Sequence, residues 1–112
     1  MPMDTDLIEQ LRRTHGDAFL REILDMFLNH APELLAEIAH FYQVGAYDEL
    51  SRAAHKLRGM SLSLGLAEIA EPTAAIEHFS RDMIHYPLLP QPMEQLQTNY
   101  VHVANKIQTL FY

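Results

Sequence analysis

Apolar residues recur at steps of three and four along almost the whole chain, and this spacing confines it to amphipathic helices. Between Asp17 and Val44 they fall at Phe19, Ile23, Met26, Phe27, Leu34, Leu35, Ile38, Phe41 and Tyr42. After Pro92 they fall at Met93, Leu96, Tyr100, Val103, Ile107 and Leu110. Alternation of single apolar and polar residues, the mark of a strand, is scarce. Most of the 4 glycines and 6 prolines sit where helices would begin or end. Five helical segments are expected. A short one covers about Thr5 to Thr14, with Asp4 or Thr5 as N-cap. A long one covers Asp17 to Val44, interrupted by Pro32 with a bend near Leu28 to Pro32, and ends at Gly45. The third runs from Ala46 or Tyr47 to Leu64, with Gly65 as the residue beyond its cap. The fourth spans about Leu66 to Met83, with Pro72 imposing a kink or a late start. Prolines 87, 90 and 92 make His85 to Pro92 a loop, and the fifth helix follows Pro92. Long helices joined by short turns predict an all-α, antiparallel up-and-down four-helix bundle with a short extra N-terminal helix.

Size and charge narrow the function classes. With 112 residues, 48% of them hydrophobic, the chain suits one domain, residues 1–112, with a single core. Without cysteine there is no disulfide framework, zinc ribbon or thiol nucleophile. A formal charge of -7 argues against general nucleic-acid binding. No apolar run approaches the length of a membrane span, and acid stands near the N-terminus where a secretory signal carries base. The expected protein is cytoplasmic and monomeric.

The third segment carries the chemistry. Leu50, Ala53, Ala54, Leu57, Ser61 and Leu64 share one face at 3.6 residues per turn, and that face is a core stripe. His55 lies close to the opposite side, with Ser51, Gly59 and Leu62 as its outer neighbours. Glycine inside a helix costs about 0.5–1 kcal/mol relative to alanine, yet Gly59 sits one turn from His55, where it clears space around the imidazole. Arg52, Lys56 and Arg58 gather basic charge around the histidine in an otherwise acidic chain. An exposed neutral imidazole is a nucleophile that can carry a covalent group, and flanking cations suit a phosphoryl group. An ordinary surface histidine with basic neighbours is the plainer account of the same residues.

The other histidines, His15, His30, His40, His78, His85 and His102, include no pair at the four-residue spacing of helical metal ligands, so no metal site is expected. Ser61 and Ser63 lie in no nucleophile elbow. Met26, Phe27, Phe41, Tyr42 and Phe79 stand at core spacing and require no cofactor.

The run Ala54-His55-Lys56-Leu57-Arg58-Gly59-Met60-Ser61-Leu62-Ser63-Leu64-Gly65 resembles the signature of the histidine-containing phosphotransfer (HPt) domain. His55, Leu57, Arg58, Gly59, Ser61, Leu64 and Gly65 fit its places. Phe27 to Leu35 is similar to the family's preceding helix, Gly45 fits the turn between them, and Ile76-Glu77 resembles an apolar–acidic pair in the helix that follows. The resemblance spans roughly Phe19 to Arg81. It implies a four-helix bundle in which His55 takes a phosphoryl group on Nε2 from a receiver-domain aspartyl phosphate and passes it to another receiver. It further implies that Arg58 steadies the phosphoryl oxygens, Gly59 permits access, and Lys56 adds to the field. Ser51, Arg52 and Leu62 then lie on the face that meets response-regulator receivers and a hybrid sensor histidine kinase. The chain itself binds no cofactor, Mg²⁺ belongs to the receiver, and no kinase motif or glycine-rich phosphate loop is present. Met60, Leu62 and Pro72 depart from the pattern. Met60 points toward the core stripe as a packing filler. Leu62, on the histidine face, leaves open a non-catalytic adaptor that docks a receiver or kinase without carrying phosphate. The phosphorylatable domain of a larger histidine kinase is a further alternative.

Overall fold

Left-handed glycines stop two of the long helices. Gly45 has φ +75° and Gly65 φ +67°, a conformation in which a Cβ would be strained. Each lets the chain turn back so that two amide groups reach the last carbonyls. Ala46 donates to Phe41 and Gly45 to Tyr42, and likewise Leu66 to Ser61 and Gly65 to Leu62. The computed structural model describes residues 5–112, apart from the side chains of Thr5, Asp6 and Phe111. Its helices are α1 (Thr5–His15), α2 (Asp17–Val44), α3 (Tyr47–Ser63), α4 (Ala67–Phe79) and α5 (Pro90–Phe111), with a 3₁₀ turn at Met83–Leu88. No described residue lies in a strand. Among the described residues, no helix is long and apolar enough to cross a membrane.

Helix α3 packs on α2 and most extensively on α4, α4 packs on α5, and α5 returns to α2. Helix α1 leans on α2. The result is a helical bundle whose core joins Leu24, Phe27, Ile38, Leu50, Leu57, Ile69, Ile76, Leu96 and Val103, with Ile8 contributed by α1. Small buried side chains at Ala53 and Ala54 of α3 and at Ala70 and Thr73 of α4 allow these two backbones to approach closely. Stacking of Tyr47 on Tyr86, ring centroids 3.6 Å apart, ties the 3₁₀ turn to the start of α3.

Several boundaries differ from the sequence expectations. The buried stripe of α2 is Leu20, Leu24, Phe27, Ala31 and Ile38, whereas Phe19 and Met26 are exposed. They belong to the adjoining stripe of the wheel, and Phe19 lies against the His15 ring instead. Helix α4 ends at Phe79 rather than Met83, and residues 83–88 coil into a 3₁₀ turn that includes Pro87. Helix α5 begins at Pro90, not after Pro92. First-turn amides have no intrahelical acceptor, so proline loses nothing there. Asp4 lies outside the described residues, as does the Thr5 side chain, so the expected N-cap does too.

Neither internal proline breaks its helix. Pro32 is on the exposed side of α2, where the Leu28 carbonyl it leaves without an amide partner can turn to water. Pro72 is buried, and α4 runs through it from Ala67 without the expected late start. The carbonyl deprived by Pro72 is that of Glu68, four residues back, and the Asn99 amide of α5 donates to it at 2.7 Å. Asn99→Ala is therefore expected to cost about 1 kcal/mol by leaving a part-buried carbonyl without its donor. The cost should shrink in a Pro72→Ala background, where an amide is again available. A double-mutant cycle by urea unfolding checks this, and additive effects would refute it.

Candidate functional site

The outer face of α3 presents His55, with its side chain 63% exposed, in the third turn of the helix. Beneath it lies Glu77 of α4, whose side chain is only 6% exposed. The Nδ1 of His55 stands 2.9 Å from Oε2 of Glu77. An ionised carboxylate only accepts, so Nδ1 carries the proton and donates it, and the lone pair is left on Nε2. The contact thus selects the nucleophilic tautomer and aims it away from Glu77.

Glu77 is held from several sides. Its backbone carbonyl is among the last of α4, beyond the reach of a helical amide. Ser51 Oγ of α3 donates to it at 3.2 Å, and Ser80 Oγ at 3.1 Å. Ser51 therefore bolts α3 to the end of α4, and its hydroxyl is turned to this bond rather than outward. Two guanidinium groups meet the carboxylate. Arg81 donates through Nη2 to Oε2, the oxygen that His55 also uses. Arg58 Nη1 lies 3.4 Å from Oε1. The Nε of Arg58 and Oε1 of Glu77 are both covered and lack a hydrogen-bond partner, so this second pair is a charge contact. The two cations compensate the charge of this deeply buried carboxylate.

Most residues singled out on α3 surround His55, but not all in the expected posture. Lys56 and Gly59 are exposed beside it. A hollow of about 360 Å³ is lined by Ser51, Arg52, His55, Lys56, Glu77 and Arg81. Arg58 faces Glu77 rather than open space. Leu62 is 54% exposed farther along the helix, and Met60 is half-buried against the core. The Ser61 hydroxyl is buried and donates to the Leu57 carbonyl at 2.8 Å, so it is a core residue.

Sequence reasoning missed Arg81 altogether and saw in Glu77 only half of an apolar–acidic pair. The available signal was that an isolated acid among the buried positions Pro72, Thr73 and Ile76 of α4 requires a cationic or donor partner. Among the described residues, no group of three or more His, Asp or Glu side chains is placed to hold a metal ion.

Gly59 is open as well as exposed, since a Cβ built there meets nothing within 4 Å. The fold alone gives no steric reason for glycine. Gly59→Ala should raise stability by about 0.5–1 kcal/mol, read as a higher urea midpoint. A lower midpoint would reveal a packing role that the open surface does not show.

The family model described as Hpt domain matches residues 22–106, which take in α3, α4 and most of α2 and α5. No curated protein and no solved structure gives a significant match.

Proposed function

The chain belongs to the Hpt domain family, and from that premise we propose that His55 accepts a phosphoryl group from the aspartyl phosphate of one receiver domain and delivers it to an aspartate of another. Hpt domains are phosphoryl carriers that work with receiver domains in two-component phosphorelays. The observation that carries the assignment to His55 is the pairing of an exposed imidazole with a buried carboxylate at 2.9 Å.

In the step, the Nε2 lone pair forms a bond to phosphorus as the phosphorus–oxygen bond of the acyl phosphate breaks. The electron pair of that bond leaves with the receiver's carboxylate. The proton on Nδ1 stays in place. Positive charge grows on the ring as Nε2 gives up its lone pair, and Glu77 stabilises it from the far side. The same contact serves delivery, because the ring departs as a neutral imidazole that still holds its Nδ1 proton.

In this reading the chain needs no nucleotide and has no kinase activity of its own. Mg²⁺ and the acidic pocket come from the receiver. Arg52, Lys56, Arg58 and Arg81 form a basic patch on an acidic body, which orients the protein toward such a pocket. Leu62 adds an apolar contact at the edge of the docking face. The partners are response-regulator receivers and a hybrid sensor histidine kinase, met by a cytoplasmic monomer, with no part for nucleic acid or membrane. Gly59 leaves room for the incoming receiver, so the Gly59→Ala chain, though more stable, should take label more slowly.

The test is incubation with a panel of phosphorylated receiver domains and Mg²⁺, followed by mapping of the label. Acid-labile, alkali-stable label on His55 supports the carrier. Binding to receivers with no label from any of them overturns it in favour of the adaptor.

A further inference from the structure

We propose that Arg81, a residue outside the family motif, grips the phosphoryl group on His55, and that Arg58 instead holds Glu77 in place. The proposal rests on the carrier reading and concerns how the same site holds its cargo. Three cations, Arg52 and Lys56 of α3 and Arg81 from the turn after α4, line the hollow beside His55, and among the described residues the only acid there is Glu77 at its floor. Such a hollow favours an anion with several oxygens.

The two arginines on Glu77 differ in freedom. Arg58 has its Nε covered, its side chain is 37% exposed, and it reaches Oε1 only as a charge contact. Turning outward would take it from the one carboxylate that it neutralises. Arg81 lies just beyond α4, anchored by its amide to the His78 carbonyl, with its side chain 63% exposed. Its guanidinium and the His55 ring end on the same atom, Oε2. Arg81 is therefore adjacent to the imidazole and free to swing.

The charges permit an exchange. Before transfer, Oε2 is shared by Arg81 and the neutral ring. As the Nε2–phosphorus bond forms and the acyl phosphate bond breaks toward the receiver's carboxylate, the ring becomes positive. It can then neutralise Oε2 without help. Arg81 leaves Oε2 and donates to the phosphoryl oxygens, where it offsets their negative charge. No proton leaves Nδ1, and Glu77 keeps a cation on each oxygen, Arg58 on one and the imidazolium on the other.

Chemical phosphorylation of His55 with phosphoramidate tests the grip without any receiver. The ³¹P resonance of the phosphohistidine is measured in the native chain and in the Arg81→Ala, Arg81→Lys and Arg58→Ala variants, with thermal unfolding as a check on folding. Transfer from a phosphorylated receiver is timed in parallel. Arg81→Ala should displace the ³¹P resonance and slow transfer on the order of 10-fold, below the loss typical of an enclosed oxyanion donor because the arm is exposed. Arg81→Lys should recover part of both. Arg58→Ala should chiefly disturb the Nδ1 signal of His55. If Arg81→Ala leaves both the resonance and the transfer rate unchanged, or if Arg58→Ala alone displaces the resonance, the proposal is wrong. If the native chain takes phosphoramidate label but none from any receiver, the carrier reading fails, and the ³¹P comparison still decides the role of Arg81.

Discussion

His55→Gln is expected to remove all acid-labile label from the chain while leaving the bundle intact. Glutamine has no ring nitrogen to bond phosphorus, so the loss is complete rather than graded. The fold should hardly register the change. His55 is mostly exposed, and its one polar contact is to Glu77, which a glutamine amide can also satisfy. An exposed substitution of this kind falls within about 0.5 kcal/mol. Circular dichroism and the urea midpoint check the fold, and binding to receiver domains checks the docking face. This combination separates carriage from docking, since an adaptor would bind as before and lose nothing. Residual label would have to be mapped, and its presence on any other histidine would move the site. Among the described residues, none places a buried carboxylate at hydrogen-bond distance from His15, His30, His40, His78, His85 or His102. His30 and His85 have acids only at 3.9 Å, and those acids are exposed.

The parts of this site legible in the sequence are those generated by one helix. The stripe Leu50, Ala53, Ala54, Leu57, Ser61 and Leu64 and the outward placement of His55 follow from 3.6-residue geometry alone, and all six stripe residues are buried. The helix ends at Gly45 and Gly65 were equally local, because a left-handed turn is a property of the residue that makes it. Contacts between helices were not legible in this way. Glu77 is 22 positions from His55, and only the packing of α4 on α3 brings its carboxylate under the ring. Arg81 depends on where α4 ends, which was expected at Met83 and falls at Phe79. Ser51 lies on the outer half of the wheel, but its hydroxyl reaches sideways to a carbonyl that only the packed pair of helices supplies. The resemblance assigns Arg58 to the phosphoryl oxygens, and only the packed helices place its guanidinium beside the Glu77 carboxylate. The expected late start at Pro72 fails for a related reason. The cost of Pro72 depends on whether its orphaned carbonyl finds a donor, and Asn99 comes from another helix.

Glu77→Gln should slow phosphoryl transfer to and from His55 by roughly 10- to 100-fold, the scale of losing one well-placed electrostatic contact to a transition state. Glutamine keeps the length and shape of the side chain and one acceptor oxygen, so the loss measures charge. Three effects act in the same direction. The positive charge that develops on the ring loses its counter-charge. The amide can turn its NH₂ toward Nδ1, which would favour the tautomer with the proton on Nε2 and block the nucleophile. Arg58 and Arg81 also lose their shared anion, leaving two cations beside the ring. Stability should fall much less than for a fully buried ion pair, by about 1 kcal/mol, because both arginines reach water and can be hydrated there. Glu77→Asp complements it by keeping the charge and withdrawing it from Nδ1, beyond the 2.9 Å contact. If orientation of the ring matters as much as charge, the aspartate chain will also be slow. If charge alone matters, it will lie near the native rate. The tautomer of His55, read from its ring ¹⁵N shifts, should move away from Nδ1–H in the glutamine chain. Native transfer rates in the glutamine chain would mean that Glu77 serves the packing of α4 on α3 and not the chemistry of His55.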